Sequence, residues 1–129
     1  MLQKEVVDRM TADPGTSDYG RLTVMLNVRF DVERLFIIPP GAFRPAPKVN
    51  SAMARLRPLR ECAPRIDDFA LFTRLVAAAF SQRRKTLRNA IASVCDVAAI
   101  TGAGLDPGAR GETLAVADFV RLANRITIA

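Results

Sequence analysis

The sequence predicts an α+β chain: two helices and two strands, followed by a second half that is all helix. Three observations carry this. Apolar residues recur every three or four positions through most of the chain; β-type patterns occur only within residues 32–38 and 49–57; and beyond Pro58 no strand pattern returns. With 129 residues, half of them apolar, the chain suits one domain, or one with a small extra lobe, and is no disordered tail.

Each element has its own signal. Leu2, Val6 and Met10 repeat every four residues among charged neighbours, predicting a helix over 2–10. Residues 11–20 hold Asp13-Pro14-Gly15 and small polar residues, a loop. Leu22, Met25, Leu26 and Phe30 follow at helical spacing. Val32 to Ile38 is β-rich and is ended by Pro39-Pro40-Gly41; Phe43 to Pro47 is too proline-rich to be regular. From Val49 to Arg57 the alternation predicts a strand, closed by Pro58.

In the second half, Asp67 or Asp68 is placed to cap a helix whose apolar face is Phe69, Phe72, Leu75, Val76, Ala79 and Phe80. A second helix over 82–94 would put Leu87, Ile91 and Val94 on one stripe and Arg84, Lys85 and Arg88 on the opposite face. A short helix over 97–101 is stopped by Gly102-Ala103-Gly104, and a last one over 114–127 turns Val116, Phe119, Val120, Ala123 and Ile126 inward. Two strands alone make a marginal pair. The first half therefore reads as the tail of a larger sheet domain and the second as a compact helical domain.

Composition excludes several chemistries. There is no histidine, so catalytic triads, imidazole bases and most zinc sites are out. Cys62 and Cys95 stand far apart and read as reduced thiols. The longest apolar run, Leu75 to Phe80, is far short of a membrane span, and Met1 to Glu5 lacks a signal peptide's apolar stretch, so the expected location is the cytoplasm, with no membrane partner. The net charge of +6 favours a polyanionic partner. Both halves carry similar excess, but Arg83, Arg84, Lys85 and Arg88 crowd into six positions, and no acid lies between Asp68 and Asp96. Such a cluster, mixed with Gln82, Thr86 and Asn89, suits phosphate and 2′-hydroxyl contacts to RNA; its plainer reading is a solvated helix face.

The second distinctive stretch runs from Phe43 to Ser51. Its prolines hold the backbone extended before any ligand arrives. A stiff loop with an exposed Phe43 can stack on an extruded base while Lys48 pairs a phosphate; equally, Phe43 can be core in a proline-rich turn. Gly102-Ala103-Gly104 is a helix stop and no nucleotide loop, since Pro107 occupies the third glycine's position. Tyr19 is expected in an exposed packing role.

Taken in order, Met1 to Val6, Tyr19 to Val24, Phe43 to Ser51, Phe80 to Asn89 and Arg110 to Leu114 resemble the small-subunit rRNA adenine dimethyltransferases, the kasugamycin-sensitivity enzymes. The Phe43–Ser51 element is shared with erythromycin-resistance methyltransferases; the Gln82-Arg83-Arg84-Lys85-Thr86 segment points to the small-subunit branch rather than the large-subunit one. The resemblance implies dimethylation, from S-adenosylmethionine, of N6 on two adjacent adenosines near the 3′ end of small-subunit rRNA, in the immature 30S subunit. It also implies that Phe43 stacks on the target adenine, and that Arg83, Arg84, Lys85 and Arg88 face RNA.

The departures matter as much. None of Asn27, Asn50, Asn89 and Asn124 begins the family's Asn-Leu/Ile-Pro-Tyr/Phe loop, and no strand-borne glycine loop for the methyl donor is present. The resemblance therefore implies a C-terminal fragment. Residues 1–60 would be the last helices and two strands of a Rossmann-like methyltransferase sheet, and residues 61–129 a small all-helical rRNA-binding domain. Alone, it is expected to bind no S-adenosylmethionine and to be inactive; the alternative is a standalone RNA-binding or ribosome-assembly module. The 49–57 strand would leave an exposed edge open to self-association. Ala115 stands where the family offers Ser or Thr as a helix cap, a loss of about 1 kcal/mol.

Overall fold

The structure, a computed structural model, describes residues 1–82 and 84–128, the side chain of Ile128 excepted. In chain order it contains β1 (Leu2–Gln3), α1 (Lys4–Met10), α2 (Arg21–Asn27), β2 (Phe30–Ile38), β3 (Ser51–Pro58), α3 (Phe69–Ser81), α4 (Leu87–Ala90), α5 (Val97–Gly102) and α6 (Val116–Ile128). Single 3₁₀ turns lie at Pro40–Ala42, Arg60–Cys62 and Gly111–Thr113.

The strands form one antiparallel sheet in the order β1-β3-β2. β2 and β3 pair from Phe30 opposite Pro58 to Ile38 opposite Ser51, with a bulge between Arg34 and Phe36. β1 adds only Leu2 opposite Ala52 and Gln3 opposite Ser51, and the Lys4 N–H donates to the Asn50 carbonyl at 2.9 Å. The free edge of β3 thus draws the first residues out of the helix that their spacing predicts, and α1 starts at Lys4. Asp8 on α1 binds Lys4 at 2.8 Å and Arg34 of β2 at 3.1 Å. The hydrogen bond from Lys4, with Arg34 adding to it, holds the Asp8 carboxyl below its ordinary value.

These pairings correct the expected fold class. The strands are three and wholly antiparallel, closing around a central β3, and are not the last two strands of a Rossmann-like sheet. Nor is the helical half packed by itself. Tyr19, Val24 and Val28 from the first half share one buried cluster with Phe72, Leu75, Val76, Leu87, Ile91, Ile100, Phe119 and Leu122 from the second. Burying each large side chain here contributes about 1.5–3 kcal/mol, so α2 and the Tyr19 turn are structural parts of the helical core. Asp68 caps α3, accepting from the Leu71 N–H at 3.1 Å. α5 ends at Gly102, as expected, and Gly104 follows with φ of 78°.

Three local expectations fail for identifiable reasons. Tyr19 is buried, not exposed: its ring meets Phe80 edge-on at 5.9 Å and its hydroxyl has a backbone partner. On α2 the buried residues are Thr23 and Val24, with Val28 buried just beyond its end, while Leu22 is exposed. The helix over 82–94 is absent. α3 stops at Ser81 and only Leu87–Ala90 is helical afterwards, because the Leu87 and Arg88 amides donate to the Ala109 and Pro107 carbonyls at 2.6 and 3.1 Å. Amides spent on a distant loop cannot bond four residues back.

Candidate nucleic-acid interface

The cationic segment is therefore a pinned turn rather than a helix face. Arg84 and Lys85 lie in the turn and Arg88 on α4; all three are exposed, and among the described residues none makes an ion pair. Arg83 lies outside the described residues. The turn is held from below by buried Leu87 and Ile91 and from the side by the two bonds to the 105–110 loop. That loop is itself fixed, with the Gly108 N–H donating to Asp106 Oδ1 at 2.8 Å. It also carries exposed Arg110, one residue beyond the Ala109 carbonyl that holds Leu87. Sequence spacing could not find Arg110, because only the cross-chain bonds bring its loop to α4.

Phe43 is half-buried and follows the Pro40–Ala42 turn, its N–H donating to the Pro40 carbonyl at 3.2 Å. With Met1, Arg44, Pro45, Pro47 and Ser51 it lines an open cleft of about 370 Å³. The ring is thus neither sealed in the core nor fully free. Lys48 is exposed and belongs to a neighbouring cleft with Gln3, Lys4, Glu5, Asp8 and Asn50.

Among the described residues no cluster of three or more His, Cys, Asp or Glu side chains could hold a metal. Cys62 and Cys95 are free thiols, and burial, with Asp96 beside it, pushes the Cys95 thiol up, so it stays protonated. No described helix is long and apolar enough to cross a membrane. A methyl-donor nucleoside needs a glycine-rich turn after a strand. Here β2 runs into Pro39-Pro40-Gly41 and β3 into Leu59-Arg60, while the left-handed glycines, Gly15 and Gly104, follow helices. These residues do not fit such a cofactor.

A family model described as ribosomal RNA adenine dimethylase matches residues 1–127. The chain belongs to that family. It is 59% identical over 126 residues to the ribosomal RNA small subunit methyltransferase A of Aromatoleum aromaticum, a match covering 98% of this chain and 48% of that protein. It is 57% identical to the same-named protein of Xanthomonas campestris pv. campestris, over 96% of this chain and 47% of the other. Among solved structures, a dimethyladenosine transferase from Plasmodium falciparum superposes with a TM-score of 0.79 at 24% identity, over 93% of this chain and 53% of that one. The 23S rRNA methyltransferase ErmE gives 0.61 at 28% identity, over 97% and 52%. The chain spans about half the length of the curated relatives it matches. Its placement as the C-terminal part of such an enzyme is not retained: the matched half is a small three-stranded antiparallel sheet with helices.

Proposed function

We propose that this chain is the RNA-gripping half of a small-subunit rRNA adenine dimethyltransferase, with S-adenosylmethionine bound by residues it does not contain. The carrying observation is the exposed, unpaired set Arg84, Lys85 and Arg88 on a turn fixed by the Leu87–Ala109 and Arg88–Pro107 hydrogen bonds. Cations held in place without acidic partners meet phosphates at little entropic cost. Arg110, on the loop that fixes the turn, extends the same patch, and Lys48 adds a contact beside the Phe43 loop. Phe43 stacks on the extruded target adenine, its backbone already ordered by the surrounding prolines. The adenine amine is a poor nucleophile because its lone pair is delocalised into the ring, so holding the base is a large share of what the protein must supply. The natural partner is small-subunit rRNA, within the immature 30S subunit.

The test is binding of the 129-residue chain to an RNA hairpin matching the 3′ end of small-subunit rRNA, followed by fluorescence anisotropy across a salt series. Replacing Arg84 and Arg88 together by Ala should weaken binding and reduce the log–log salt slope by about 1.4–1.8, two phosphate contacts' worth. An unchanged slope removes the turn from the interface. Calorimetry with S-adenosylmethionine should be flat; stoichiometric binding would overturn the assignment of the donor site to another part of the enzyme.

A further inference from the structure

We propose that a second cleft, where the sheet meets the helical core, takes one nucleotide of an RNA strand, its phosphate on Arg29 and Arg60 and its nucleoside on an apolar wall. The choice of RNA as the source rests on the function proposed above; the cleft itself is independent of the Phe43 loop and the cationic turn, sharing no residue with either.

The cleft measures about 450 Å³, and its walls include Arg29, Pro58, Arg60, Pro64, Ile66 and Phe69. No acid lines it, and among the described residues neither arginine makes an ion pair. Of the acids near it in sequence, Glu61 does not line the cleft, Asp67 binds Arg65 at 2.9 Å and Asp68 caps α3. The Arg29 guanidinium lies 4.2 Å from the centroid of the Phe69 ring. A guanidinium seated on a ring is oriented while its in-plane N–H groups stay available, an arrangement suited to phosphate oxygens.

Arg60 is the stronger clue. Its φ is 53°, and it is the one non-glycine residue of the described chain in the left-handed region. That conformation is strained for a residue with a Cβ. Its neighbours impose it: the Leu59 N–H donates to the Arg29 carbonyl at 2.8 Å and the Ala63 N–H to the Arg60 carbonyl at 3.1 Å. Glycine would make this turn without strain, so the side chain is present at a cost, and it lines the same cleft as Arg29. Pro58, Pro64 and Ile66 complete a surface that is mostly apolar, which suits a ribose or base and offers nothing further to a bare anion.

The experiment compares the wild-type chain with Arg60→Gly, Arg29→Gln and the Arg84→Ala/Arg88→Ala pair, using a short labelled single-stranded RNA and a thermal melt of each protein. Arg60→Gly should keep or raise Tm, because the turn relaxes, yet weaken RNA binding about three- to tenfold and lower the salt slope by about 0.7; Arg29→Gln should weaken binding similarly. A purely structural arginine would lower Tm and leave affinity unmoved. Unchanged affinity and slope in both cleft variants overturn this proposal while leaving the Arg84/Arg88 reading to stand or fall on its own pair. Adenosine monophosphate is the second probe. Competition only at millimolar concentration supports a strand-borne nucleotide, whereas micromolar binding that displaces no RNA overturns it in favour of a free nucleotide.

Discussion

The hydroxyl of Tyr19 donates a 2.6 Å hydrogen bond to the backbone carbonyl of Leu114, 95 residues further along the chain. Both residues are buried, and the bond ties the loop before α2 to the segment that enters α6. Tyr19→Phe keeps the ring against Phe80 but leaves a buried carbonyl without this donor. The expected loss is about 1–3 kcal/mol, read from urea unfolding with an unchanged m-value. No loss would mean that the contact is replaced by water.

The same pair sets a pH dependence. Burial first, with the charge of Asp118 adding to it, raises the Tyr19 phenol well above its ordinary value near 10. A raised folded-state value contributes stability that is complete below pH 10 and is lost as pH climbs beyond it, because the unfolded phenol ionises first. The stability gap between the wild type and Tyr19→Phe should therefore narrow above pH 10. A gap that stays constant to pH 11 would show that Tyr19 ionises in the folded chain as readily as in the unfolded one.

How much of this was legible beforehand depended on whether a signal was local. The helices around Leu75 and Phe119, the Asp68 cap and the Gly102 stop follow from spacing and capping chemistry within a few residues. Tyr19 as a core residue, β1 on the flank of β3 and the broken helix after Ser81 all depend on partners far along the chain: Leu114, Ala52 and Ala109. For the site, the cluster Arg84, Lys85 and Arg88 could be seen in the sequence but its support could not; Arg110 lies in a family-like segment that does not reveal its place beside the turn, and Arg60 carries no pattern at all.

Gly111 is a second long-range dependency. It is buried under α3, and a Cβ built on it would lie 3.1 Å from the Ala79 carbonyl oxygen and 3.2 Å from the Ala79 Cβ. Helix backbone cannot yield as a flexible side chain can. Gly111→Ala should cost about 1–3 kcal/mol, measured as a fall in Tm, and should also disturb the Arg110 loop. An unchanged Tm would mean that the 111–113 turn shifts freely.

The sheet makes its own prediction. β3 is flanked on both sides only at Ser51 and Ala52, so open edges remain along β3 from Met53 onward and along the outer side of β2, where Leu35, Phe36 and Ile37 are 43%, 54% and 44% exposed. The chain alone should self-associate through this strand, and Phe36→Lys should shift sedimentation velocity profiles towards monomer. A clean monomer at high concentration in the wild type would remove the edge as a contact.

The entrance to α6 is half a capping box. Ala115 occupies the N-cap position and offers no side-chain acceptor, yet its own N–H donates to Asp118 Oδ2 at 3.0 Å. Asp118 Oδ1 meanwhile takes Arg121 at 2.9 Å, so this carboxylate serves the helix start and the first turn together. The Asp118 N–H already donates to the Ala115 carbonyl at 3.0 Å, and Ala115→Ser would add a hydroxyl acceptor for the first-turn amides. The variant should gain about 1 kcal/mol, seen as a rise in Tm, and in an Asp118→Ala background the same Ser should recover part of what that change loses. No gain in either background would mean that the Asp118 carboxylate and solvent already satisfy this helix end.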